Sequence, residues 1–184
     1  MLDILSEHGV EYVVTGSAAA LLHGVAIEPG DLDITPALDE ENLDRLRRVL
    51  EAIHARQYDD AGFGHWETSA DGERRWVCEE ATPENVAARA IWAPDPRDPA
   101  TFDYVLDSDF GSIDIVPVIS GTYEQLATRA VRVRRGRHAI LVEAVSDLLA
   151  TLTMPRREKD VDRVRELRRL QRRQAEQRPV EEGA

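Results

Sequence analysis

The chain has a single cysteine, a single lysine and few aromatic residues. Cys78 stands alone among 184 residues, which excludes an internal disulfide and any cysteine-based zinc cluster. It reads as a passive, half-buried side chain rather than a nucleophile. Lys159 faces 22 arginines, a bias of composition from which no mechanism follows. No apolar run approaches the roughly 18 residues of a membrane span. Residues 1–9 carry Asp3 and Glu7 where a secretory leader would be basic and then apolar. The expectation is a cytoplasmic protein without membrane contact.

What is present is the composition of a globular domain, 42% hydrophobic and 32% charged residues. At this length one domain with a real core is the default. The net charge of −12 is unevenly spread. Residues 1–128 hold 8 Arg and 26 Asp/Glu, a balance of −18, whereas residues 129–178 hold 15 Arg/Lys and 7 Asp/Glu, a balance of +8. An acidic body argues against wrapping by nucleic acid over a broad surface, while the basic C-terminal part can meet phosphates locally.

The stretch Y-V-V-T-G-S-A-A-A-L-L-H-G-V-A-I-E-P-G-D-L-D-I-T, residues 12–35, organises the rest. It reads as a strand at 12–15, a Gly-Ser turn, a short helix at 18–23, a Pro-Gly turn and a second strand. Residues two apart on a strand share a face, so Asp31 and Asp33 project together while Leu32 and Ile34 enter the core. Two carboxylates side by side are costly without a cation, and a divalent ion such as Mg²⁺ supplies one. Gly16 and Ser17 open the helix, where free N–H groups favour an anion such as a phosphate. Each feature has a plainer explanation, since Gly-Ser is often only a helix cap and Asp-x-Asp after Pro-Gly only a turn. Their order and separation favour a nucleotide site.

A third acid strengthens it. In the run I-D-I-V-P, Asp114 is flanked by Ile113 and Ile115 on a strand at 113–118, and a charged residue there needs a partner or a metal. The preceding segment, 101–106, reads as a strand forming an antiparallel hairpin with it.

Elsewhere the pattern is helical or irregular. A helix at 40–55 is capped by Asp39, with Leu43, Leu46, Leu50 and Ile53 on one face. A hairpin or irregular loop is expected around Asp71-Gly72, with Trp66 and Trp76 packed on the sheet; stacking of a base on His65-Trp66 is the lesser alternative. A helix follows Thr82-Pro83-Glu84, another opens at Thr122, two short strands flank Arg135-Gly136, and Ser146 caps a helix carrying Leu148, Leu149 and Leu152. The last helix, 159–177, sets Val161, Val164, Leu167 and Leu170 on one side. Its remaining surface carries Arg163, Arg165, Arg168, Arg169, Arg172 and Arg173, which either meet a partner or simply stay solvated.

Gly16-Ser17, Asp31-x-Asp33 and Asp114 together resemble the nucleotidyltransferase superfamily, with its DNA polymerase β-like fold. The phrases V-T-G-S-A-A-A-L-L-H-G, G-D-L-D-I and V-S-D-L-L-A-T … K-D-V-D-R-V-R-E-L are similar to those of bacterial minimal and toxin–antitoxin-type members, so the likeness spans residues 12–170, weakest over 56–105. It implies an α/β (α+β) fold with a mixed, mostly antiparallel sheet and helices on one side. Residues 1–145 would be the catalytic domain, 146–178 a helical extension and 179–184 a disordered tail. It further implies that Asp31, Asp33 and Asp114 are catalytic acids holding Mg²⁺ (or Mn²⁺), and that Gly16 and Ser17 contact the phosphates of an NTP such as ATP. The implied reaction moves an NMP to a hydroxyl on an RNA 3′ end, a protein side chain or a small molecule, in a toxin–antitoxin or defence setting that brings in a cognate partner protein. Some relatives place a cationic residue just before the acid pair, where this chain has Ile27, Glu28 and Pro29; Arg156, Arg157 or Lys159 are candidates to replace it. His23 reads as a packed helix residue. The alternative is a non-catalytic nucleotide- or partner-binding module of the same fold.

Overall fold

Tyr12, Val13 and Val14 are buried in succession, so the first strand, β1 (Tyr12–Val14), runs inside a sheet rather than along its edge. The structure is a computed structural model and describes residues 1–57, 64–68, 74–78, 91–103, 105–152 and 158–176. Helix α1 (Leu2–Glu7) precedes β1, and α2 (Gly16–Leu22) follows it directly. Then come β2 (Asp31–Pro36), α3 (Glu40–Ala52), β3 (Arg56–Gln57), β4 (Gly64–Thr68), β5 (Arg74–Cys78) and β6 (Ile91–Trp92). After a 3₁₀ turn, Pro99–Asp103, the chain forms β7 (Val105–Asp107), β8 (Ser112–Ile115), α4 (Tyr123–Ala127), β9 (Val131–Arg135), β10 (His138–Val142), α5 (Val145–Thr151) and α6 (Glu158–Glu176).

Eight strands form one sheet in the order β6-β3-β7-β8-β2-β1-β10-β9, and β4 and β5 form a separate antiparallel pair. Two neighbouring pairs are parallel, β2 with β8 and β1 with β10, and the others are antiparallel. The sheet is therefore mixed and mostly antiparallel, as expected. In β8 the buried residues Ile113 and Ile115 alternate with the half-exposed Ser112 and Asp114, so one face belongs to the core and the other is open.

Helix α3 supplies much of the core through Leu43, Leu46, Val49 and Leu50. Leu46, Val49 and Leu50 belong to one core cluster with Ile34, Leu106, Ile113, Ile115 and Val142, all at 0% exposure. Each such side chain contributes roughly 1.5–3 kcal/mol over its exposed state. Asp39 caps the helix by accepting from the Asn42 N–H at 3.0 Å. The buried Asn42 amide then ties the loop before β1 to α3, accepting from Glu11 N–H at 2.7 Å and donating to the carbonyls of Glu11 and Ala37 at 2.9 and 2.8 Å. Leu167 of α6 is fully buried and joins this same core, with Val164 and Leu170 half-buried beside it.

Several boundaries differ from expectation for local reasons. Segment 101–106 is not one strand. Asp98 accepts from the Ala100 N–H through its side chain and from the Thr101 N–H through its carbonyl, at 3.0 and 2.9 Å, and this turn holds Pro99–Asp103 in 3₁₀ form. Strand β8 stops at Ile115 because Pro117 cannot donate to the ladder, and Val118 beyond it is 64% exposed. Helix α3 ends at Ala52, where His54 turns to φ 51°. Ser146 is no cap: Ala144 holds that position, and Ser146 lies exposed in the first turn of α5. Val161 is exposed rather than docked, which narrows the apolar stripe of α6 to Val164, Leu167 and Leu170. The helix expected after Thr82, the turn at Asp71-Gly72, the side chains of His65, Trp66, Trp76, Cys78 and Lys159, residues Arg156 and Arg157, and the tail lie outside the described residues.

Candidate functional site: an acidic cleft beside Gly16

β1 and β2 bring the Gly-Ser turn onto the acid pair. Thr15, extended and buried, donates its N–H to the carbonyl of Asp33 at 3.0 Å. The chain then turns sharply at Gly16, whose φ of +61° is one that side-chain-bearing residues rarely adopt. A Cβ on residue 16 would lie 2.1 Å from Oδ2 of Asp33, so the turn accepts glycine alone if the carboxylate is to rest there.

The third acid arrives by strand pairing. In the parallel pair of β2 and β8, Asp33 stands opposite Asp114 and Asp31 opposite Ser112. Neighbouring strands lie about 4.8 Å apart, which puts Asp33 and Asp114 side by side, with Asp31 on the same face one pleat away. All three line one cleft of about 610 Å³. Ser17, residues 26–28, Gly30 and, from α6, Asp162 and Arg163 complete its lining.

The crowding is visible in Asp33, whose pKa is pushed up to about 6. Burial is the main cause, followed by the charges of Asp31 and Asp114; the Ser17 N–H, which hydrogen-bonds the carboxylate, and the Arg163 guanidinium pull the other way. The donor set consists of hard carboxylate oxygens, the chemistry that suits Mg²⁺ or Mn²⁺. Among the described residues, however, no three acidic or histidine side chains stand close enough together to form a ready metal cage. The fit is that of three acids facing a common space.

Gly16 and Ser17 occupy the expected place but do something not expected of them. The Ser17 N–H is engaged by Asp33 and the Gly16 N–H by Glu143, so these two backbone donors serve the protein's own carboxylates. Ser17 still reaches the cleft as part of its lining. His23 is at the C-cap of α2, and its Nε2–H donates to the Glu143 carbonyl at 2.7 Å, which fixes the ring in a packing role.

Two residues escaped the sequence reading. Glu143 is 1% exposed; its Oε1 accepts from the Ser120 hydroxyl and its Oε2 has no hydrogen-bond partner. Burial raises its pKa, the Ser120 and Gly16 donors counter that, and the nearby Asp147 adds to it. The run A-I-L-V-E carried the same signal that singled out Asp114, an acid attached to an apolar strand. Arg163 was grouped with the other arginines of the last helix as meeting a partner or staying solvated, although it lies one helical turn before the buried Leu167 and so on the docked side of α6.

These features define a mixed α/β protein with a carboxylate-lined cleft where β2, β8, α2 and α6 meet. No protein-family model matches the chain, and no curated protein matches it.

Proposed function

We propose that the protein is a metal-dependent nucleotidyltransferase. The observation that carries this reading is the register of Asp33 with Asp114 across two parallel strands, in a cleft also lined by Ser17, with Gly16 packed close against Asp33. Asp31, Asp33 and Asp114 would hold Mg²⁺ or Mn²⁺, which when bound neutralises charge on the phosphate oxygens of an NTP. The Ser17 N–H keeps the Asp33 carboxylate aimed across the cleft, and the Ser17 hydroxyl donates to a phosphate oxygen. Asp114 takes the proton of the acceptor hydroxyl. The acceptor oxygen bonds to the α-phosphorus, the bond from that phosphorus to the bridging oxygen breaks, and pyrophosphate leaves. Acceptors of this chemistry are an RNA 3′ end, a protein hydroxyl or a small-molecule alcohol.

The test is incubation in a cell extract with Mg²⁺ and each NTP labelled on its α-phosphate. A macromolecule or small molecule that gains label only when the protein is present identifies the acceptor. The rival reading is a nucleotide-binding module of the same fold without transfer. Binding of metal and NTP with no labelled product in any extract would select it.

A further inference from the structure

The cleft contains one cation among its described lining residues, Arg163, against the five carboxylates of Glu28, Asp31, Asp33, Asp114 and Asp162. Arg163 is held there by α6, whose buried Leu167 one turn on anchors the helix in the core. Its Nε is buried without a hydrogen-bond partner, and its charge acts on Asp33. The guanidinium therefore has an electrostatic partner but an unused donor. A polyphosphate approaching this cleft alone meets a strongly negative surface, since one guanidinium does not offset five carboxylates.

We propose that Arg163 is an exchangeable internal counter-ion: with no divalent cation bound it offsets part of the negative charge of the cleft it lines, and when a divalent cation takes over that role its guanidinium serves the polyphosphate of the nucleotide. This rests on the nucleotidyltransferase reading and adds an order to it. The divalent cation enters before or together with the nucleotide, never after it. Guanidinium suits the second task because its planar fork matches phosphate oxygens in pairs.

The exchange gives Arg163→Gln two effects of opposite sign. Removing a positive neighbour should leave Mn²⁺ binding as tight as in the wild type or several-fold tighter. Losing a charge-assisted donor should weaken ATP binding in the presence of Mn²⁺ by about tenfold to a hundredfold. The experiment is calorimetric titration of the full chain with Mn²⁺ alone, with ATP alone, and with ATP at saturating Mn²⁺. It is run on the wild type, Arg163→Gln, Arg163→Lys and, as a control, Arg168→Gln on the exposed side of α6. The wild type is expected to bind ATP only with Mn²⁺, Arg163→Lys to recover part of the loss, and Arg168→Gln to match the wild type. Equal ATP affinity in wild type and Arg163→Gln, or parallel loss of Mn²⁺ and ATP binding, overturns the exchange while leaving the nucleotidyltransferase reading intact. ATP binding to the wild type without Mn²⁺ overturns the order of entry. A wild type that binds neither Mn²⁺ nor ATP overturns both.

Discussion

Gly16 and Asp33 are in contact so close that a methyl group on the first would overlap the carboxylate of the second, 2.1 Å from Oδ2. Gly24 makes an internal control, because its φ of +89° is equally unsuited to a side chain but no atom lies within 4 Å of its hypothetical Cβ. Gly24→Ala should cost about 1–2 kcal/mol from backbone strain alone. Gly16→Ala should cost a further 1–3 kcal/mol, roughly, as Asp33 is pushed aside. Urea denaturation of both variants measures the difference, and equal losses would show that the turn does not grip Asp33.

Asp33 makes stability depend on pH in a defined direction. Its pKa is raised from 3.8 to about 6, so the fold favours the neutral acid. That contribution is fully present below about pH 3.8 and is lost as pH rises through about 6. Asp33→Asn in metal-free buffer should therefore be close to neutral at pH 4 and stabilising by about 1–2 kcal/mol at pH 8, the raw shift being discounted for the open cleft. Added Mg²⁺ or Mn²⁺ should raise the wild-type Tm far more at pH 8 than at pH 5, and should do little for the variant. Thermal melts across that range decide it. A variant that gains as much at pH 4 as at pH 8 would contradict the assignment of charge crowding to Asp33.

Glu143 follows the same sign, since burial raises its pKa. Glu143→Gln keeps an acceptor for the Ser120 hydroxyl and removes the cost of a buried charge, so at pH 8 it should be neutral or stabilising. Glu143→Ala leaves the Ser120 and Gly16 donors without that acceptor and opens a cavity, and should lose about 2–4 kcal/mol. Urea melts at pH 8 compare the two. Equal destabilisation would mean that Glu143 is held as an ionised acceptor of the Ser120 hydroxyl, not as a neutral buried acid.

The heart of the site was legible because its signals are local. A period of two placed Asp31 and Asp33 on one face, and an acid between isoleucines marked Asp114. The register that sets Asp33 beside Asp114 was not legible, because parallel pairing of β2 with β8 leaves no trace in either strand alone. Asp39 was read correctly as a cap, since its acceptor meets a donor three residues away, whereas Ser146 misled because the turn into α5 begins at Ala144. Propensity favoured a strand through Thr101 and Phe102, and the carboxylate of Asp98 overrode it with a turn. Arg163 was hidden by its own composition, one arginine in a helix full of them, and only the burial of Leu167 distinguishes its side of α6.

The central claim, that the cleft moves a nucleoside monophosphate, is tested most directly by pairing two labels. The protein is incubated with Mg²⁺ and the extract fraction containing its acceptor, once with NTP labelled at the α-phosphate and once at the γ-phosphate. Wild type should transfer the α label and release the γ label as pyrophosphate, and Asp33→Asn and Asp114→Asn should each lower transfer by at least about a hundredfold. Transfer of the γ label in place of the α label, or α transfer undiminished in both variants, would contradict it.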